Sequence, residues 1–412
     1  MVGLTITERF FLEFIRPDND DSLRDAIREL GDKKNEIDWT GIAQHGHKIA
    51  PYIFFTINRL GLDLAVPRDI SLITKFNYLY FQEKNKKNIQ ALAEIGKKFK
   101  EEGIDLLFIK GAALIFTVYS DDKGLRYMDD IDVLVRHEDL AKAEKILQDI
   151  GYVEGYERLS KEHQTRFTKE FFSRHHFHYV YFKDQVRLEL HWNVAKVNNK
   201  AFLDKLFRSS HPITLHGSEV KITNAEASVL MACLNFSKDF YESFVRKGIE
   251  SEADHKEAFY YAIFFFCELK EILRYYHNDI SWKDFLYCVK SIKREYEIFT
   301  LLLLADKIAK APIPAFVLRK AQSSFFSFIF GLFSRNLKYT NFRELFELKE
   351  KIFRFRKRLY HLPRMPGIFL RKIFVLITGI YGLILKFLSN HFPSGAIFLK
   401  KIVGFFKRLF GN

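Results

Sequence analysis

The sequence predicts an α+β protein in which a small mixed-sheet unit is flanked by N- and C-terminal α-helical regions. Three observations support this. Apolar residues recur at helical spacing from the start of the chain to about residue 100, and again from about Asn224 to Phe346. Between these regions lie short runs of β-branched and leucine residues: IDLLFIKG, DIDVLV, HHFHYVYF and VRLELHWNV. The last two are separated only by Lys183, Asp184 and Gln185, a hairpin signal. The expected organisation is an N-terminal helical region over 1–102, the sheet unit over 103–223, a helical lobe over 224–346 and a basic tail over 347–412.

The elements follow in order. In FNYLYFQEKNKKNIQALAEIGKKFKEEG, Leu79, Ile89, Leu92 and Ile95 recur among lysines, as in an amphipathic helix, and Gly103 ends it in the position after the cap. IDLLFIKG reads as a buried strand running into Gly111, GAALIFTVYS as a helix, DDKG as a loop and DIDVLV as a second strand. AKAEKILQDIGYV is a further helix, capped near His137–Asp139 and closed by Gly151. In the second arm of the hairpin Arg187, Glu189 and His191 share one face, while Val186, Leu188, Leu190 and Trp192 share the other. The later helices are broken at Pro312 and Pro314, and no internal repeat is present.

A chain of 412 residues with 48% hydrophobic content can bury a sizeable core. Its three cysteines, Cys233, Cys267 and Cys288, lie far apart without C-x-x-C spacing, which suggests neither a disulfide framework nor a zinc site and fits a reducing cytoplasm. The start, MVGLTITERFFLEF, lacks the pattern of a secretory signal. The net charge of +14 is concentrated at one end: residues 351–412 carry 13 Lys and Arg and no Asp or Glu, leaving +1 for the remainder. That distribution argues against a basic nucleic-acid groove over the folded body.

The stretch LRYMDDIDVLVRHEDL raises the question of chemistry. On a strand, Asp130 and Asp132 point to the same face while Ile131, Val133 and Val135 pack behind them. Two adjacent carboxylates repel, and an oxygen-preferring cation such as Mg²⁺ relieves the repulsion. Read alone, the same motif also describes a solvated strand end. The neighbourhood favours the cation. Lys110 and Gly111 stand where a strand runs into a helix, Gly111 admits a phosphate to the backbone, and Lys110 and Arg126 supply cations for a polyphosphate. Glu189 adds a third carboxylate, so the set suits transfer of a nucleotidyl group from an NTP with Mg²⁺, or Mn²⁺ as the alternative. Lys110 also reads as a solvated strand end, and Arg126 as a brace for the Asp130 loop. The histidines at 175, 176, 178 and 191 are read as surface or hydrogen-bonding residues rather than a zinc site, with His191 kept as a positioning residue beside Glu189. The aromatic run FYYAIFFFCEL is read as core packing.

Taken in order, KGAALIFTVYS, GLRYMDDIDVLV and LELHWNV resemble the uncharacterised nucleotidyltransferase family of the polymerase-β-like nucleotidyltransferase superfamily. The resemblance covers roughly residues 85–195 and, more loosely, SWKDFLYCVKSIKREYEIF and PIPAFVL. It implies Gly111 at the triphosphate, Asp130 and Asp132 as metal ligands, and Glu189 as the third carboxylate near the attacking hydroxyl. Two departures stand out. Lys110-Gly111-Ala112 replaces the superfamily's usual Gly-Ser or Gly-Gly, and the lobe segment LMACLNFSKDF carries no histidine. The implied acceptor is an unidentified hydroxyl. A protein hydroxyl, as in adenylylation of antitoxin type, is one alternative, and a catalytically inactive nucleotide-binding membrane adaptor is another.

The tail adds a location. The uncharged run Ile373–Leu385 is shorter than the about 20 residues a spanning helix needs. In PSGAIFLKKIVGFFKRLFGN, helical spacing places Lys400, Lys401, Lys407 and Arg408 on one stripe and Phe398, Ile402, Phe405, Phe406 and Leu409 on the other. The expectation is a cytoplasmic protein whose residues 394–412 rest on the anionic inner face of the membrane; the competing reading packs this helix on the catalytic body.

Overall fold

The computed structural model describes residues 6–15, 21, 24–25, 27–28, 36–62, 66–155, 178–194, 199–240 and 252–323. All of them belong to one compact unit, residues 1–339. The tail from 347, with its Ile373–Leu385 run and 394–412 stripe, lies outside the described residues, as do His175 and His176.

The N-terminal region consists of α1 (Ile6–Ile15), α2 (Trp39–His45), α3 (Ala50–Leu60) and the 34-residue α4 (Arg68–Glu101). Gly103 follows α4 with φ +71, in the role its spacing predicts. Of the apolar positions read along α4, Leu92 and Ile95 are fully buried, whereas Leu79 is exposed. At Gly96 the helix approaches the sheet so closely that a Cβ would lie 2.4 Å from Val220 Cγ1.

The sheet unit contains β1 (Leu107–Phe108), the one-turn α5 (Gly111–Leu114), β2 (Ile131–Leu134), α6 (Leu140–Asp149), β3 (Val153–Glu154), β4 (His178–Lys183), β5 (Val186–His191), α7 (Lys200–Arg208), β6 (His211–Leu215) and β7 (Ser218–Ile222). These strands form one mixed sheet in the order β3-β4-β5-β2-β1-β7-β6. β2 and β5 are parallel, with Asp132 opposite Glu189 and Leu134 opposite His191. β4 and β5 form the expected antiparallel hairpin, in which His178 faces His191. Ile131, Val133, Leu188 and Leu190 are completely buried behind this pair. A slip of one residue would put them in the cleft and the carboxylates in the core, so the apolar floor fixes the register.

One expectation changes, and three strands are added to those read from the sequence. The helix expected over GAALIFTVYS closes after one turn and continues as turns with i→i+3 bonds, Phe116 N to Ala113 O and Thr117 N to Leu114 O. The β-branched Ile115, Thr117 and Val118 propagate a helix poorly, and the short bonds suit them. Strands β3, β6 and β7 had no strong sequence signal: β6 is largely exposed, and β3 spans only two residues. The β6–β7 turn places both His216 and Gly217 at positive φ, which matches the twist of a two-residue hairpin.

The lobe follows as α8 (Ala225–Phe240), α9 (Glu252–Tyr275), α10 (Trp282–Ser291), α11 (Glu295–Ala309) and α12 (Ala315–Ser323). Cys233, Cys267 and Cys288 are free and buried within it. Among the described residues no helix is long and apolar enough to cross a membrane.

Candidate active site

A cleft of about 390 Å³ opens between the β2–β5 face of the sheet and helices α8 and α9. Its lining includes Lys110, Gly111, Arg126, Asp130, Asp132 and Glu189, so every sequence-predicted site residue but His191 lines it directly. His191 sits at the base, its Nε2 2.8 Å from Asp132 Oδ1 and 3.4 Å from Glu189 Oε2.

The loop that carries the acidic motif is pinned from below by α4. Asn85 Nδ2 donates to the carbonyls of Lys123 (2.7 Å) and Arg126 (2.8 Å), and Tyr78 Oη donates to Asp122 at 2.9 Å. Gly124 lies against the Tyr78 ring, where a Cβ would meet Cε2 at 2.6 Å. Asp129, which also lines the cleft, is engaged by Lys84 (2.6 Å) and the Tyr127 hydroxyl, while Asp130 and Asp132 line it beside Glu189.

The pair is electrostatically unequal. Burial opposes charge on Asp132, but Lys110, 2.6 Å from its Oδ1, and His191 outweigh that and hold its carboxyl at about 2. Glu189 is likewise held well below the usual range: burial opposes its charge, and His191, His178 and Lys110 outweigh burial. Arg187 also bonds Glu189 at 2.5 Å. Asp130 has no such support. Burial and the carboxylates of Asp132 and Glu189 push it up to about 7, with Arg187 no nearer than 3.8 Å. Three carboxylates with one left under-compensated fit a hard divalent cation, which is the test Mg²⁺ must meet here.

Lys110 is not a solvated strand end. It is largely buried, adopts φ 51 and ψ −127, and its partner is Asp132. Arg126 forms a buried ion pair with Glu268 of α9 rather than with Asp130, and its Nε has no hydrogen-bond partner. The space in front of Gly111 is occupied by Met128 and Arg126: a Cβ would meet Met128 Sδ at 3.1 Å and Arg126 Nη2 at 3.2 Å.

Several lining residues were not assigned to the site from the sequence, among them His178, which was read as a surface or hydrogen-bonding residue. His178 is buried, its ring nitrogen 3.7 Å from Glu189 Oε2, and burial pushes its imidazole down to about 3, leaving it neutral. His178, Glu189 and His191 each place a potential ligand atom within 4.8 Å of the others; the imidazole nitrogens suit a transition metal rather than Mg²⁺, whereas the carboxylate oxygens of the site suit Mg²⁺ and Mn²⁺ alike. The signal was available: a turn centred on Asp184 and Gln185 sets 178 against 191. From the lobe come Ser228, Met231, Asn235, Phe236 and Asp239, so α8 lines the cleft without the histidine its segment lacks. Tyr261, Phe264 and Phe265 of the aromatic run also line it, while Phe266 packs inward.

No curated protein sequence matches the chain. The crystal structure of ANT(2″)-Ia in complex with adenylyl-2″-tobramycin aligns with 51% of this chain and 99% of its own, at 12% identity and a TM-score of 0.30. The solution structure of the antibiotic-resistance factor ANT(2″)-Ia aligns with 49% and 97%, at 11% identity and a TM-score of 0.28. The family model described as "Uncharacterised nucleotidyltransferase" matches residues 35–310, from the N-terminal helices through the sheet to the lobe, and the chain belongs to that family.

Proposed function

We propose that the chain transfers a nucleotidyl group from an NTP to a hydroxyl acceptor in this cleft, with Mg²⁺, or Mn²⁺ in its place, held by Asp130, Asp132 and Glu189. The observation that carries the reading is the parallel β2–β5 register, which sets Asp132 beside Glu189 with Asp130 at the strand's start. When bound, the cation lowers the pKa of the attacking hydroxyl and offsets charge on the phosphates. Carboxyls held as low as Asp132 and Glu189 are weak proton acceptors, which suits them to hold a cation rather than act as bases. His191 fixes the orientation of both by its bonds to them. Lys110 offsets their charge from the floor, and Gly111 forms the adjoining wall. Arg126, paired with Glu268, ties the α9 wall to the acidic loop. The acid-free sequence of 394–412 supports placing this activity at an anionic membrane surface.

Incubation with each α-labelled NTP, Mg²⁺ and a cell extract tests the reading, because the labelled product identifies the acceptor class. Asp132→Asn is expected to abolish labelling while the protein remains folded. Undiminished labelling in that variant, or none by the parent with any NTP, overturns the proposal.

A further inference from the structure

The cations around the cleft are mostly engaged. Lys110 is bound to Asp132, Arg126 to Glu268, Arg187 to Glu189 at 2.5 Å and Lys238 to Asp239 at 3.2 Å. Lys48 differs. It lines the same cleft from the N-terminal region, in the turn between α2 and α3, and among the described residues no carboxylate lies within ion-pair distance of its ammonium. Its Nζ stands 4.5 Å from the Tyr261 ring centroid and 4.9 Å from that of Tyr127. Both rings are fixed at their far ends, because the Tyr261 hydroxyl donates to Asp239 at 3.2 Å and the Tyr127 hydroxyl to Asp129. The turn itself is closed by bonds from Ile49 N (3.0 Å) and Ala50 N (2.8 Å) to Gly46 O. Burial lowers the Lys48 ammonium below its ordinary range, against the opposing pull of the Asp239 and Asp129 carboxylates.

We propose that Lys48, seated between Tyr127 and Tyr261, binds the polyphosphate of the incoming nucleotide and makes the N-terminal helical region part of the active site. The inference rests on the nucleotidyl-transfer reading above. The anion class follows from the surroundings. Asp129, Asp130, Asp239 and Glu268 also line the cleft and would repel a bare carboxylate or sulfate. A polyphosphate arrives with a divalent cation that those carboxylates attract, and it still leaves oxygens for an ammonium. Lysine suits the position because its compact head, on a long apolar stem, can reach forward from the ring faces without leaving them.

The test uses the full chain and three probes with Mg²⁺: inorganic triphosphate, the four NTPs and the matching NMPs, each titrated calorimetrically. Lys48→Met keeps the stem against the tyrosines and removes the charge; Lys48→Arg keeps the charge. Loss of one charge-assisted contact is expected to weaken triphosphate and NTP binding by roughly 10- to 100-fold in Lys48→Met, with most of it restored in Lys48→Arg. NMP binding should change by much less. Without nucleotide, the melting temperature of Lys48→Met should equal or exceed the parent's, whereas a purely structural lysine would lower it. Triphosphate binding unchanged in Lys48→Met, or a fall shared equally by NMP, overturns the inference. A parent that binds triphosphate but no NTP leaves Lys48 as a polyphosphate ligand and removes the nucleotidyl-transfer reading. A parent that binds neither overturns both.

Discussion

At the scale of single residues, the site is governed by unequal support for three carboxylates. Asp132 has Lys110 and His191, Glu189 has Arg187 and the two histidines, and Asp130 has Arg187 alone, at 3.8 Å, against burial and two neighbouring carboxylates. The raised carboxyl of Asp130 has a defined consequence for stability in metal-free protein. Its folded pKa, about 7, lies above the unfolded value of about 3.8, so its contribution is fully present below the unfolded value and is lost as pH rises through the folded one. His178 works in the opposite sense between 6.5 and about 3, because its folded pKa is depressed and acid protonates the unfolded chain first. The total slope therefore conceals both, and the informative quantity is a difference. Asp130→Asn is expected to gain stability relative to the parent as pH rises from about 4 to about 7 without metal, as measured by urea midpoints at fixed pH steps. Saturating Mg²⁺ should reverse the sign, since the parent then gains a ligand that the variant lacks. A constant difference across that window would remove the charge crowding at Asp130.

At the scale of elements, the site depends on long-range ties that hold loops to rigid pieces. Helix α4, about 51 Å long at 1.5 Å per residue, carries Tyr78, Asn85 and Asn88 along one side, and these side chains hold the 122–128 loop in place. The other tie is Arg126–Glu268, a buried pair joining that loop to α9. Removing one partner leaves an uncompensated buried charge, so Glu268→Ala should cost about 3–5 kcal/mol in urea unfolding. Replacing both, as Arg126→Met with Glu268→Leu, should recover most of that loss, because two apolar groups of similar volume carry no desolvation penalty. If the double variant is as unstable as the single, the pair contributes packing rather than charge balance. These ties were only half legible. The sequence offered Arg126 as a brace, yet the Glu268 that completes it lies 142 residues away on a helix whose aromatic run reads as core.

At the scale of the whole molecule, charge and chemistry occupy different stretches of the chain. The 13 basic residues from Lys351 onward are accompanied by no acid, while the cleft is built upstream. Deleting 394–412 removes four of those charges and one apolar stripe, so binding to vesicles containing anionic lipid should fall sharply while transfer to a soluble acceptor persists. An insoluble or strongly destabilised truncation would instead assign the segment to the folded body, and undiminished vesicle binding would shift attention to Ile373–Leu385. The amino-acid sequence alone specified the α+β class, the β4–β5 hairpin and the placing of Asp130, Asp132, Glu189 and His191 on polar faces over an apolar floor. It did so because these features are local: alternation within a strand, a turn, a glycine at positive φ. Long-range packing set the parallel β2–β5 register, turned Lys110 onto Asp132, joined Arg126 to Glu268 and brought Lys48 to the cleft from the first helices. Those are contacts between distant segments, fixed by which apolar faces bury against one another, and no short pattern in the chain encodes them.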